Sequence, residues 1–185
     1  MIIQFIINDN KYLNSWFEKM QNENINIKKD AILFLVELIE CSKMVYQTRY
    51  VFNETLFELD ILPIIANILN NNKDNNESII IHLIEIFLNI LSAIPSPILN
   101  YLKNDNKQIK LIQIFCKILF ETENFGIKYE ISQIYKILIE TEFKEQSMNR
   151  LDFFSDSFVD FLNYLRKPLE DNEKKTNISN TKQII

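Results

Sequence analysis

Three features of the sequence predict an all-α fold built from repeated units. Glycine occurs once and proline four times in 185 residues, so the residues that form tight turns and phosphate loops are nearly missing. Apolar residues recur at spacings of three and four, as on one face of a helix, and do not alternate as on a strand. The pattern also returns after 48 residues: Leu33-Phe34-Leu35-Val36-Glu37-Leu38-Ile39 falls on Ile81-His82-Leu83-Ile84-Glu85-Ile86-Phe87, and then on Tyr129-Glu130-Ile131-Ser132-Gln133-Ile134-Tyr135. The glycine scarcity excludes dinucleotide-binding and P-loop sites, which need several glycines at fixed spacing. It also argues against many-stranded sandwiches, which need frequent turn signals.

The elements follow in order. Ile27 to Tyr46 carries Ile32, Leu35, Val36, Ile39 and Met44 at helical spacing, with Glu37 and Glu40 between them. Thr48 to Leu59 reads as a shorter helix. Asp60 is expected to cap Ile61 to Leu69, with Pro63 tolerated in the first turn. The run Asn70 to Asn76 is a solvated loop at a unit junction. Glu77 to Ala93 is apolar around most of its circumference and is expected to be a central, buried helix. Pro95-Ser96-Pro97 ends it and starts a short helix over 97–103. A helix over 107–121 precedes a break at Gly126, and another spans 127–140. Asn149 caps a last amphipathic helix over 150–166.

The same shift places Ile61-Leu62-Pro63-Ile64 on Ile109-Lys110-Leu111-Ile112, so each unit reads as a short, a medium and a long helix. That is the architecture and approximate period of armadillo and HEAT-type repeats, and it predicts a right-handed α-solenoid of armadillo/HEAT-like three-helix repeats. One unit cannot bury its apolar faces alone, so neighbours stack into a continuous core. Met1 to Ile7 and Ile184-Ile185 read as pieces of helices. Residues 1–169 are therefore expected to form an armadillo-like repeat domain cut at both ends, part of a longer array, followed by a polar, disordered tail over 170–185.

The net charge of −5 and pI of about 5.0 argue against nucleic acid, because phosphate neutralisation needs clustered cations and only the isolated pairs Lys28-Lys29 and Lys174-Lys175 occur. No stretch reaches 18 uninterrupted apolar residues, so no membrane partner is expected. Cys41 and Cys116 lie inside apolar helical patterns and are expected to be reduced, buried small hydrophobes in an intracellular chain.

No catalytic, cofactor or metal constellation emerges. His82 is the single histidine, with Glu85 one turn away on the same face, and it lacks the clustered ligands that a metal needs. Glu121 and Glu123 pair on a loop, where a solvated face explains them. The informative pattern is a polar stripe. His82, Glu85, Asn89 and Ser92 share one face of an otherwise apolar helix. The register shift adds Glu37 and Glu40 on the first long helix and Gln133 and Lys136 on the third. In armadillo-type proteins the long third helices line a concave groove that holds extended peptides. Glu37, Glu40, His82, Glu85, Asn89, Gln133 and Lys136 are therefore the candidate protein-binding residues, whose amides can bond a partner's backbone and whose acids favour basic segments.

Specific segments resemble a known family. Asp30-Ala31-Ile32-Leu33-Phe34-Leu35-Val36-Glu37-Leu38, Arg49-Tyr50-Val51-Phe52 and Leu59-Asp60-Ile61-Leu62-Pro63 are similar to the armadillo-like SMEK domain of protein phosphatase 4 regulatory subunit 3. The likeness continues through Ile86 to Leu91, Pro95 to Leu102, Gly126 to Ile131, Leu151 to Phe154 and Pro168-Leu169, and so covers residues about 10 to 169 in collinear order. Two departures stand out. Asp60 occupies a position where the family usually has glycine, and a second glycine beside Gly126 is missing. Nothing here resembles the family's amino-terminal pleckstrin-homology-like module, so recruitment through that module is not carried over. The resemblance implies a non-catalytic scaffold that binds a phosphatase catalytic subunit and a second regulatory subunit and directs them to substrates, in nucleus and cytoplasm. The alternative is another armadillo/HEAT-type adaptor, for transport or the cytoskeleton.

Overall fold

The computed structural model describes residues 6, 10–71, 76–104 and 111–145. The expected helix over 150–166, the expected tail over 170–185 and both chain ends lie outside the described residues. Within them the chain forms eight helices and no strand: α1 (Asn10–Met20), α2 (Ile25–Ser42), α3 (Tyr46–Glu58), α4 (Ile61–Asn70), α5 (Glu77–Ala93), α6 (Pro95–Asn104), α7 (Leu111–Glu121) and α8 (Phe125–Glu145).

Helix α1 adds to the predicted elements. Leu13, Phe17 and Met20, spaced by four and three, are buried against α2. Trp16 stacks on Phe34 with ring centroids 4.1 Å apart, and the Lys19 ammonium sits 4.1 Å from the Trp16 ring.

Asparagines start the three long helices. The Asn24 side-chain oxygen accepts from the N–H groups of Asn26 at 3.0 Å and Ile27 at 3.4 Å. Asn76 accepts from Ile79 at 3.4 Å, and Asn124 from Gly126 at 2.9 Å and Ile127 at 3.3 Å. Each satisfies backbone donors that a helix start leaves without partners. Helix α2 ends at Ser42, short of the predicted Tyr46, because Val45 turns to an extended conformation (φ −134°) that starts α3.

Asp60 does not cap α4 through its side chain, contrary to expectation. It adopts the left-handed conformation (φ 59°, ψ 37°), and its N–H donates to Phe57 O at 3.1 Å. It thereby closes the end of α3, the position where glycine is normally favoured because it has no Cβ. The resemblance places the family's glycine at this position.

The long helices repeat in register. Ala31, Ile32, Leu35, Leu38, Ile39 and Ser42 of α2 fall, after 48 positions, on Ile79, Ile80, Leu83, Ile86, Phe87 and Ile90 of α5, and every member of both sets is buried. Another 48 positions carry Ile79, Leu83, Ile86, Phe87 and Ile90 onto Ile127, Ile131, Ile134, Tyr135 and Leu138 of α8, also buried. The short helices follow other shifts. Phe52, Asn53 and Leu56 of α3 correspond to Ile98, Leu99 and Leu102 of α6, a shift of 46. Ile61, Leu62, Ile65 and Ala66 of α4 correspond to Leu111, Ile112, Phe115 and Cys116 of α7, a shift of 50. The predicted alignment of Ile61 with Ile109 is therefore two positions off.

Packing repeats along with burial. Helix α2 lies against α5, and α5 against α8. Helix α3 bridges α2 and α5, α6 bridges α5 and α8, and α4 rests on α7. This is a helical repeat in which α5 is the central, buried element, as its apolar circumference predicted.

Candidate functional site

The two cysteines part company. Cys116 is buried as expected, whereas Cys41 is exposed on α2. Cys41 follows Glu40 on the edge of α2 that turns away from the Leu35, Leu38 and Ile39 contacts, so an apolar neighbourhood in sequence did not mean burial.

The predicted stripe occupies the less buried edge of the long helices. Glu37 and Glu40 are exposed on α2, His82, Glu85 and Asn89 are half-buried on α5, and on α8 Gln133 is half-buried and Lys136 exposed. The 48-residue register puts Glu37, Glu85 and Gln133 at one equivalent position of three successive long helices. Several polar side chains bond their own helix. His82 Nδ1 lies 2.5 Å from Ser78 O, which fixes the proton on that nitrogen when the ring donates. Asn89 Nδ2 donates to Glu85 O at 2.9 Å, Ser92 Oγ to Leu88 O at 2.7 Å, and Ser132 Oγ to Lys128 O at 2.8 Å. Asn89 therefore offers a partner its carbonyl oxygen and one remaining N–H, not the whole amide.

Electrostatics centre on Glu85. Partial burial pushes its carboxyl above the ordinary carboxylate value; His82 opposes that shift, Glu40 adds to it, Lys43 opposes it and Glu130 adds to it. The structure thus gathers Glu40, His82 and Glu85 of the predicted set around one field and adds two residues, Lys43 and Glu130. Lys43 forms an ion pair with Glu40 one turn back on α2. Glu130 stands 48 positions after His82, so the register that found the stripe already contained it. Glu37, Gln133 and Lys136 form no hydrogen bond or ion pair with this group.

Among the described residues, two further cavities lie away from this group. One, of about 230 Å³, is lined by Glu77, Ile80, Ile118, Glu121, Thr122 and Glu123, so the paired Glu121 and Glu123 both line it. A smaller one of about 40 Å³ is lined by Tyr46, Arg49, Tyr50, Ser92 and Ala93. Among the described residues no group of histidine, cysteine and carboxylate side chains has the arrangement of a metal site, and no single helix is long and apolar enough to cross a membrane.

The family model described as Phosphatase 4 regulatory subunit 3 matches residues 1–184. No curated protein and no solved structure shows significant similarity to the chain.

Proposed function

Because the chain belongs to the phosphatase 4 regulatory subunit 3 family, we propose that it is a non-catalytic scaffold of a protein phosphatase 4 complex. In this reading residues 1–169 form a right-handed α-solenoid that binds the catalytic subunit and a second regulatory subunit and directs them to substrates in nucleus and cytoplasm. The single observation that carries the reading is the family match over residues 1–184. The side-by-side order of α2, α5 and α8 supports the solenoid, since each unit hides the apolar face of the next and leaves a continuous polar edge.

That edge is the proposed groove. Glu37, Glu40 and Glu85 with Glu130 supply carboxylates, and Lys43 and Lys136 keep the field mixed in sign, with His82 beside them. An extended basic segment laid across the long helices gains complementary charge along its length, which governs register and association rate more than raw affinity. Glu85 contributes most at close range, since part of its solvation is already lost and an incoming cation replaces it.

The test is reconstitution. The chain is co-expressed with a phosphatase 4 catalytic subunit and the second regulatory subunit and analysed by size-exclusion chromatography. Co-elution, weakened by joint Glu37→Lys and Glu85→Lys substitution at unchanged helicity, is the expected result. Separate elution of the unsubstituted chain refutes the scaffold. Co-elution indifferent to the charge reversal refutes the groove and keeps the scaffold.

A further inference from the structure

The corner between α2 and α3 is longer than its counterpart in the next unit. Ser42 to Phe52, the first buried residue of α3, spans ten positions, while the corresponding Ile90 to Ile98 spans eight. The longer corner is also the more apolar on its outside. Met44 is 87% exposed, Val45 56%, Tyr46 81%, and Tyr50 and Val51 40% each. In the shorter corner Ile94, Ile98 and Leu99 are buried. Single exposed apolar side chains are ordinary on a protein surface, but five within eight consecutive positions form a patch of the kind that marks an interaction site. Its composition is that of an interface centre, since tyrosine, methionine and arginine are enriched there.

A second, polar observation points into the same patch. Arg49 Nε is buried with no acceptor, and Arg49 lines the 40 Å³ cavity together with Tyr46, Tyr50, Ser92 and Ala93. A buried donor without a partner gives up its hydration with nothing in return, and more so when it is charged. Asn53 Oδ1, one helical turn on from Arg49, is likewise buried without a partner, whereas other acceptors are engaged. The Arg49 carbonyl accepts from Asn53 Nδ2 at 2.7 Å, Glu54 accepts from the Tyr50 hydroxyl at 3.4 Å, and Glu40 is paired with Lys43. One water needs about 10–15 Å³ of such space, so the cavity admits a group of two or three heavy atoms, the size of a carboxylate.

We propose that the α2–α3 corner docks a segment of a partner protein carrying an aspartate or glutamate flanked by large apolar side chains. The carboxylate enters the Arg49 cavity and accepts from the guanidinium, while the flanking side chains cover Met44, Tyr46 and Tyr50. The site stands on the chemistry of this corner and is independent of the groove along the long helices.

Fluorescein-labelled twelve-residue peptides with Leu-Glu-Phe or Leu-Gln-Phe at their centre provide the probe, titrated with the full chain and followed by fluorescence anisotropy. The glutamate peptide binds, and the glutamine peptide binds about tenfold more weakly, as expected for loss of a charge-assisted hydrogen bond. Arg49→Gln erases the difference between the two peptides. Tyr46→Ser weakens both several-fold with an unchanged melting temperature, because that ring packs on little of the fold. Failure of the glutamate peptide to bind, or equal binding of both peptides to the unsubstituted chain, overturns the proposal. Binding retained by Arg49→Gln but lost in Glu85→Gln assigns the peptide to the groove and also overturns it. Sedimentation velocity adds a further check: a concentration-dependent dimer that Tyr46→Ser dissociates makes the occupant a second copy of this chain and rejects the acidic segment.

Discussion

The Tyr135 hydroxyl on α8 lies 2.7 Å from Cys116 Sγ on α7 and donates to the carbonyl of Ile112 at 3.2 Å, all within the core. The phenol occupies the register position that Phe87 fills in α5 and Ile39 fills in α2, both wholly apolar. Burial, then the contact with Cys116, holds its ionisation well above the ordinary tyrosine range. The third unit thus fills the same core position with a polar side chain and meets its needs from the neighbouring helix.

Tyr135→Phe keeps the ring but removes the donor to Ile112 O, and is expected to destabilise the chain by about 1–2 kcal/mol in urea denaturation. In the native chain a thiol reagent is expected to label Cys41 rapidly, with Cys116 reacting only after unfolding, because one is exposed and the other is buried. Rapid labelling of both would contradict the contact.

Asn124 joins two units. Its side-chain oxygen caps α8, and its Nδ2 donates to Glu77 Oε2 at 3.0 Å on the first residue of α5. Asn124→Ala loses both and is expected to cost about 1–2 kcal/mol, most of it from the cap. Glu77→Gln leaves an acceptor in place and is expected to change stability by only a few tenths of a kcal/mol, since the contact is exposed. Chemical denaturation of the two variants side by side reads this ordering.

Asp60 is the one non-glycine residue with positive φ among the described residues. Asp60→Gly relieves the Cβ contact and is expected to raise stability by about 1 kcal/mol, a shift of the denaturation midpoint at constant slope. Asp60→Val, β-branched at the same angles, is expected to lower it. A midpoint lowered by glycine would mean that the aspartate side chain contributes more than its backbone conformation costs.

Glu85 ionises at a cost in the folded chain. Its folded value lies above the unfolded one, so the penalty is full at neutral pH and disappears as pH falls through the raised value toward the ordinary carboxylate range. Glu85→Gln is therefore expected to melt slightly higher than the unsubstituted chain at pH 7, by a few tenths of a kcal/mol after solvent screening, and to match it at pH 4. A variant less stable at pH 7 would show that His82 outweighs desolvation.

The periodic parts of this protein are legible in its sequence alone. Burial of one face imposes a 3.6-residue rhythm, so α2, α5 and α8 announced both their existence and their common register. The polar stripe followed from the same rhythm, including the position of Glu130 once the register was applied to His82. Helix α1 carried the signal too, in Leu13, Phe17 and Met20.

What the amino-acid order could not convey lies where that rhythm stops. The two positions by which α3 and α4 depart from the long-helix register accumulate in corners, whose backbones are placed by packing and not by any repeating pattern. The left-handed turn at Asp60 belongs to the same class, as does the exposure of Cys41 beside buried neighbours. The field around Glu85, drawn from three helices that lie dozens of residues apart, and the unpaired donor of Arg49 depend on approach in space. Local sequence encodes which face of each helix is apolar; the approach of one helix to another emerges only when those faces meet.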